Sequence, residues 1–187
     1  MTYTFRDRLR QATRPSHQAI DTLMSGLDLA DRVDFTRFCR IHLACFTTLA
    51  RQSGLDAATA DLLRRASAAL ADDLAALSAD QAGLTADLPG PVDPLAVAYI
   101  IGGSRLGSQV LKSRWSQSAC PHVRGANTYF TMPAEALYWR SVCDDLAGMA
   151  ADDPRGAGIM ADTDRIFRMF AQAFHQTAPH SLSGVEV

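Results

Sequence analysis

Residues 98–115 read AYIIGGSRLGSQVLKSRW, an apolar run of helical character that carries glycines at positions 102, 103 and 107. A glycine inside a helix costs roughly 0.5–1 kcal/mol relative to alanine, so a helix that omits three side chains needs a compensating reason. Gly103 and Gly107 are four residues apart and therefore stand one above the other on a helical face. Gly102 and Ser104 widen that face, and Ser108 continues it. Two readings fit this flat strip of backbone. Either a neighbouring helix packs closely against it, or a flat ligand lies on it.

The rest of the chain favours a helical setting. Of its 187 residues 48% are hydrophobic but only 7% aromatic, and alanine and leucine recur throughout, which points to helix packing over sheet packing. An all-α fold is expected, as one domain over residues 1–187 with a flexible tail from about residue 178. The net charge of −2 gives no global reason to expect nucleic acid or an anionic membrane as partner. Cys39, Cys45, Cys120 and Cys143 lack the density and spacing of a disulfide scaffold, so free thiols in a reducing cytoplasm are expected. The arginine-rich start MTYTFRDRLRQATRPSHQ has no apolar h-region, and no run reaches the roughly 18 apolar residues of a membrane span.

Periodicity and punctuation predict six or so helices. The first spans 4–24, with Phe5, Leu9, Ala12, Ile20 and Leu23 in helical period and a kink or restart at Pro15 before His17. Asp34 is expected to cap a second helix that ends at Gly54, and Asp56 to open a third through about Leu77. The glycine helix follows over Pro94 to Trp115. Residues 116–132 read as irregular, Pro133 as the start of a further helix, and Ala157 to Thr177 as the last. No internal repeat and no alternating strand pair is evident.

His17 is the second functional clue. Arg14 lies three residues before it and Arg10 seven, so both guanidinium groups fall near its side of the helix. Neighbouring positive charge favours neutral imidazole, the form that ligates iron.

Together, LRQATRPSHQAID (9–21) and YIIGGSRLGSQVL (99–111) resemble the proximal and distal helices of the haem oxygenase family. The GSxLG pattern is similar to its bacterial, bacteriophytochrome-associated branch. The resemblance implies a haem between the two helices, its iron bound by His17 and its other face met by Gly103, Ser104 and Gly107. It implies cleavage of haem, as both cofactor and substrate, with O₂ and reducing equivalents to biliverdin, CO and ferrous iron. The electrons would come from a ferredoxin, flavodoxin or reductase. Arg10, Arg14, Gly102, Lys112, Arg114 and Arg140 are the implied haem contacts, with Arg140 of YWRS (138–141) the best match to a propionate-facing arginine. Animal members carry an aspartate where this chain has Ser104, which leaves the proton relay unassigned. The alternative is a helical protein that holds haem or another tetrapyrrole without turning it over, as sensor, store or partner.

Other groupings carry less. Cys39, His42 and Cys45 recur every third residue and read as a buried helix face sooner than a zinc site. Cys120 and His122 have no third member of a catalytic triad nearby in sequence, and His175 and His180 do not share a helical face.

Overall fold

The computed structural model describes residues 4–80 and 83–177. Within them the chain is all helical, with nine helices and no strand. The expected tail from about residue 178 lies outside the described residues.

The predicted first helix is two. Helix α1 (Phe5–Ala12) opens on a capping box, in which Thr4 accepts from the Asp7 N–H and the Asp7 carboxylate accepts from Thr4, so that Asp7's pKa falls below the usual carboxylate value. Thr13 breaks the run, and α2 (Arg14–Ser25) restarts with Pro15 in its first turn, where a missing N–H costs nothing. The break therefore falls a few residues before His17.

Helix α3 (Arg32–Ala50) is capped by Asp31, not Asp34, because Asp31 Oδ1 reaches the N–H groups of Val33 and Asp34 at 2.8 and 3.1 Å. Asp34 instead accepts from the Asp28 N–H in the preceding connector. The helix stops at Ala50, and Gly54, at φ +75°, turns the chain four residues later. Helix α4 (Ala57–Ala76) begins on its expected cap, Asp56, and packs along α3. Asp93 caps α5 (Pro94–Trp115), the glycine helix.

The stretch read as irregular holds two short helices, α6 (Pro121–Gly125) and α7 (Thr128–Thr131). Neither has the length for a periodic signal. Buried Asp73 on α4 accepts from the Thr128 and Tyr129 N–H groups of α7 at 2.7 and 3.0 Å, which substitutes for a local cap on that helix. Helix α8 (Ala136–Gly148) starts after Pro133, behind Glu135, whose side chain pairs with Arg65 of α4. Helix α9 (Gly156–Gln176) runs through the middle of the molecule and packs on α1, α2, α3 and α5.

The core lies where α3, α4, α7 and α9 meet. Phe38 stacks with Phe35 and Phe130, while Phe46, Tyr129 and Phe170 surround His42. Cys39, His42 and Cys45 are all buried on this face of α3. His42 donates from Nδ1 to the Phe38 carbonyl at 2.9 Å, and burial lowers its pKa to about 4. The four cysteines are free thiols. Among the described residues no helix is long and apolar enough to cross a membrane.

Candidate functional site

Helices α1 and α2 form one wall of an open cleft of about 780 Å³, to which α5 contributes Tyr99. That volume falls within the roughly 300–1,000 Å³ usual for a small-molecule site. Arg10, Arg14 and His17 all line it, so the structure brings together the three residues singled out near the N-terminus. Asp7, Gln18 and Asp21 line it as well.

His17 presents 54% of its side chain to solvent, yet its ring is held from two sides. Nδ1 lies 3.1 Å from Asp21 Oδ2, and the Phe167 ring of α9 meets the imidazole edge-on at 5.1 Å. A carboxylate at this distance from Nδ1 is placed to set the direction of the ring. This is how metal-ligating histidines are commonly oriented. The charged group bonded to the imidazole is thus the Asp21 carboxylate, not the flanking guanidinium groups that sequence proximity suggested. The i, i+4 spacing of His17 and Asp21 was the signal available for it.

Tyr99 brings α5 to the cleft, though Gly102, Gly103, Ser104 and Gly107 do not line it, and the structure divides the glycines. A Cβ on Gly102 would lie 2.8 Å from Trp139 Cε3 and 3.2 Å from Tyr138 Cε1, both on α8. Gly102 is buried and accounted for by helix packing. At Gly103 the nearest atom would be Trp139 Cη2 at an ordinary 3.8 Å, and at Gly107 nothing lies within 4 Å. No neighbouring helix explains the missing side chain at Gly107. On the same side of α5, Leu106 is 58% and Val110 72% exposed, as are the apolar side chains of Val33 on α3 and Leu137 on α8 to a similar degree.

Ser104 and Ser108 turn toward the protein instead of extending this strip. Ser104 is half-buried, and Ser108 is buried with its hydroxyl donating to the Ser104 carbonyl and 3.0 Å from the Tyr129 hydroxyl. At 3.6 residues per turn they lie some 100° or more around the helix from Gly103, toward the core.

The two walls are fixed at both ends. Tyr99 and Arg10 meet in the cleft at one end. At the other, Arg114 donates to the carbonyls of Ser25 and Leu27 at 2.9 and 3.0 Å and so ties the end of α5 to the end of α2.

The remaining implied contacts fall elsewhere. Arg114 is the tie just described, with its guanidinium committed to backbone carbonyls. Lys112 is half-buried and Arg140 is exposed on α8; neither lines the cleft. Arg105, between the glycines, is 1% exposed and lies over the Tyr129 ring at 4.6 Å, with long bonds of 3.3 and 3.4 Å to the Tyr129 and Met132 carbonyls and no partner at Nε. It is a buried cation with no carboxylate in contact among the described residues, and an arginine in a helical pattern gives no sign of that in sequence. No protein-family model matches the chain, and no curated protein matches it.

Proposed function

We propose that the chain is a haem oxygenase of the bacterial kind, which opens haem with O₂ and reducing equivalents to biliverdin, CO and ferrous iron. The observation that carries this reading is the cleft that brings His17, with Asp21 beside its Nδ1, together with Arg10, Arg14 and Tyr99 of α5, the helix whose Gly107 meets no atom of the described residues within 4 Å of an added Cβ. The donor set suits the group. Neutral imidazole ligates haem iron, exposed Leu106 and Val110 suit an apolar macrocycle, and Arg10 and Arg14 at the cleft supply guanidinium forks for carboxylates.

Each residue then has a defined task. His17 would hold the iron through Nε2 while Asp21 fixes the ring's tautomer and direction. Gly103 and Gly107 keep the facing wall at backbone height, leaving room for a small second ligand on the open side of the plane. Arg10 and Arg14 pair with propionates and orient them toward the α1 end. When bound, the haem supplies the oxygen-activating iron and the bond that is cleaved. A separate donor such as a ferredoxin, flavodoxin or reductase would supply electrons. The family's distal aspartate has no counterpart, since α5 carries no carboxylate at all, and protons must arrive through water. That absence also favours the second reading, a helical protein that holds haem without turning it over.

Titration with haemin, followed by absorption spectroscopy, tests the site. The chain should bind one equivalent with a histidine-ligated spectrum that His17→Ala abolishes. Adding a reductant in air should replace that spectrum by biliverdin absorption. A spectrum unchanged in His17→Ala overturns the ligand assignment, with His42 the next histidine to replace. Stable binding without biliverdin leaves the holding function in place of the enzyme.

A further inference from the structure

We infer that Trp139 is a positioning residue for the planar ligand: its indole forms the rim of the strip on the α8 side and fixes where the ligand sits in its own plane. The inference rests on the haem reading above and deepens it. Three observations carry it. Gly102 lacks a side chain because the indole occupies that space, with Cε3 only 2.8 Å from where a Cβ would stand. The ring does not stop there, since Cζ3 and Cη2 extend to 3.9 and 3.8 Å from the Cβ position of Gly103, the first open glycine of the strip. The Tyr99 ring, which lines the cleft, sits 5.5 Å from the indole at 41° and holds it from the other side.

A bulky ring clamped in this way cannot yield to a ligand as a flexible side chain would. It is only half-buried, and the edge it presents toward Gly103 is the hydrocarbon edge of the indole, Cζ3 and Cη2. Any plate seated on Gly103 and Gly107 meets this edge when it slides or rotates toward α8. Trp115, the other tryptophan, is buried with its N–H bonded to the Val123 carbonyl at 3.1 Å and has no such freedom.

The test uses the full chain with haemin and cyanide, and reads the hyperfine-shifted haem methyl resonances by proton NMR. Trp139→Phe keeps an aromatic ring on Gly102 but loses the outer edge that reaches Gly103; Trp139→Ala removes the rim. Both variants should bind haemin through His17 with an altered intensity ratio between the sets of methyl resonances, the change larger for alanine. The same order should appear in the biliverdin isomers. If Trp139→Ala does not fold, Trp139→Phe alone decides. A merely structural Trp139 would lower the melting temperature and leave the methyl pattern as it was, and that result overturns the assignment. Failure of the unaltered chain to bind haemin removes the proposed function, and this inference with it.

Discussion

Adding one methyl group at Gly102 and, separately, at Gly107 should give opposite results. At both positions alanine gains roughly 0.5–1 kcal/mol of helix propensity, so that gain cancels in the comparison. What differs is the space. At Gly102 the methyl would lie 2.8 Å from Trp139 and 3.2 Å from Tyr138, and crowding of this kind costs about 1–3 kcal/mol. At Gly107 it would meet nothing within 4 Å. Gly107→Ala should therefore be as stable as the parent or slightly more so, and Gly102→Ala less stable than Gly107→Ala by about 1–3 kcal/mol. For a chain of this length each kcal/mol moves the melting temperature by about 2–4 °C. Calorimetry or urea unfolding of the haem-free variants reads the difference directly. Haemin titration of Gly107→Ala should still show ligation by His17, with biliverdin formation slowed or diverted. A Gly107→Ala protein destabilised as much as Gly102→Ala, with normal turnover per folded molecule, would refute the open strip.

Two further outcomes follow from side chains away from the glycines. His42 has a folded pKa of about 4 against 6.5 when free, so between those values the unfolded chain holds a proton that the folded chain does not. Its contribution is fully present above pH 6.5 and is lost as pH falls through about 4, on the order of 3 kcal/mol in all. Urea midpoints at pH 7 and 4.5 should thus differ more for the parent than for His42→Leu; equal differences would show that His42 is not buried neutral. Asp21→Asn should weaken haemin binding by about 10–100-fold, the usual loss when a ligating histidine loses its orienting carboxylate. Unchanged affinity, with an unchanged histidine-ligated spectrum, would show that His17 needs no orientation from Asp21.

Long periodic segments were legible in the sequence because their signals are local. Asp56 as a cap, Pro94–Trp115 as one helix, and the last helix within a residue at each end could be read from punctuation and spacing alone. Helices α6 and α7 were not, because Asp73, more than fifty residues earlier, supplies the acceptors that hold α7. The cleft residues Arg10, Arg14 and His17 were visible from their proximity. The partition of the glycines was not, since it depends on Trp139 and Tyr138 arriving from α8. Arg114 illustrates the same limit: its charge was readable, but its commitment to Ser25 and Leu27 needs the tertiary fold.

The buried guanidinium of Arg105 couples two distant parts of the fold. Its acceptors are the Tyr129 and Met132 carbonyls, and an arginine taken out of water before those groups are in place would be an uncompensated buried charge costing several kcal/mol. The docked glycine helix and the 129–132 segment therefore stabilise each other. That segment in turn is anchored by the Asp73 carboxylate of α4. The shortest helix among the described residues, four residues with no side-chain cap, is thus the link through which α4 and the glycine helix depend on each other.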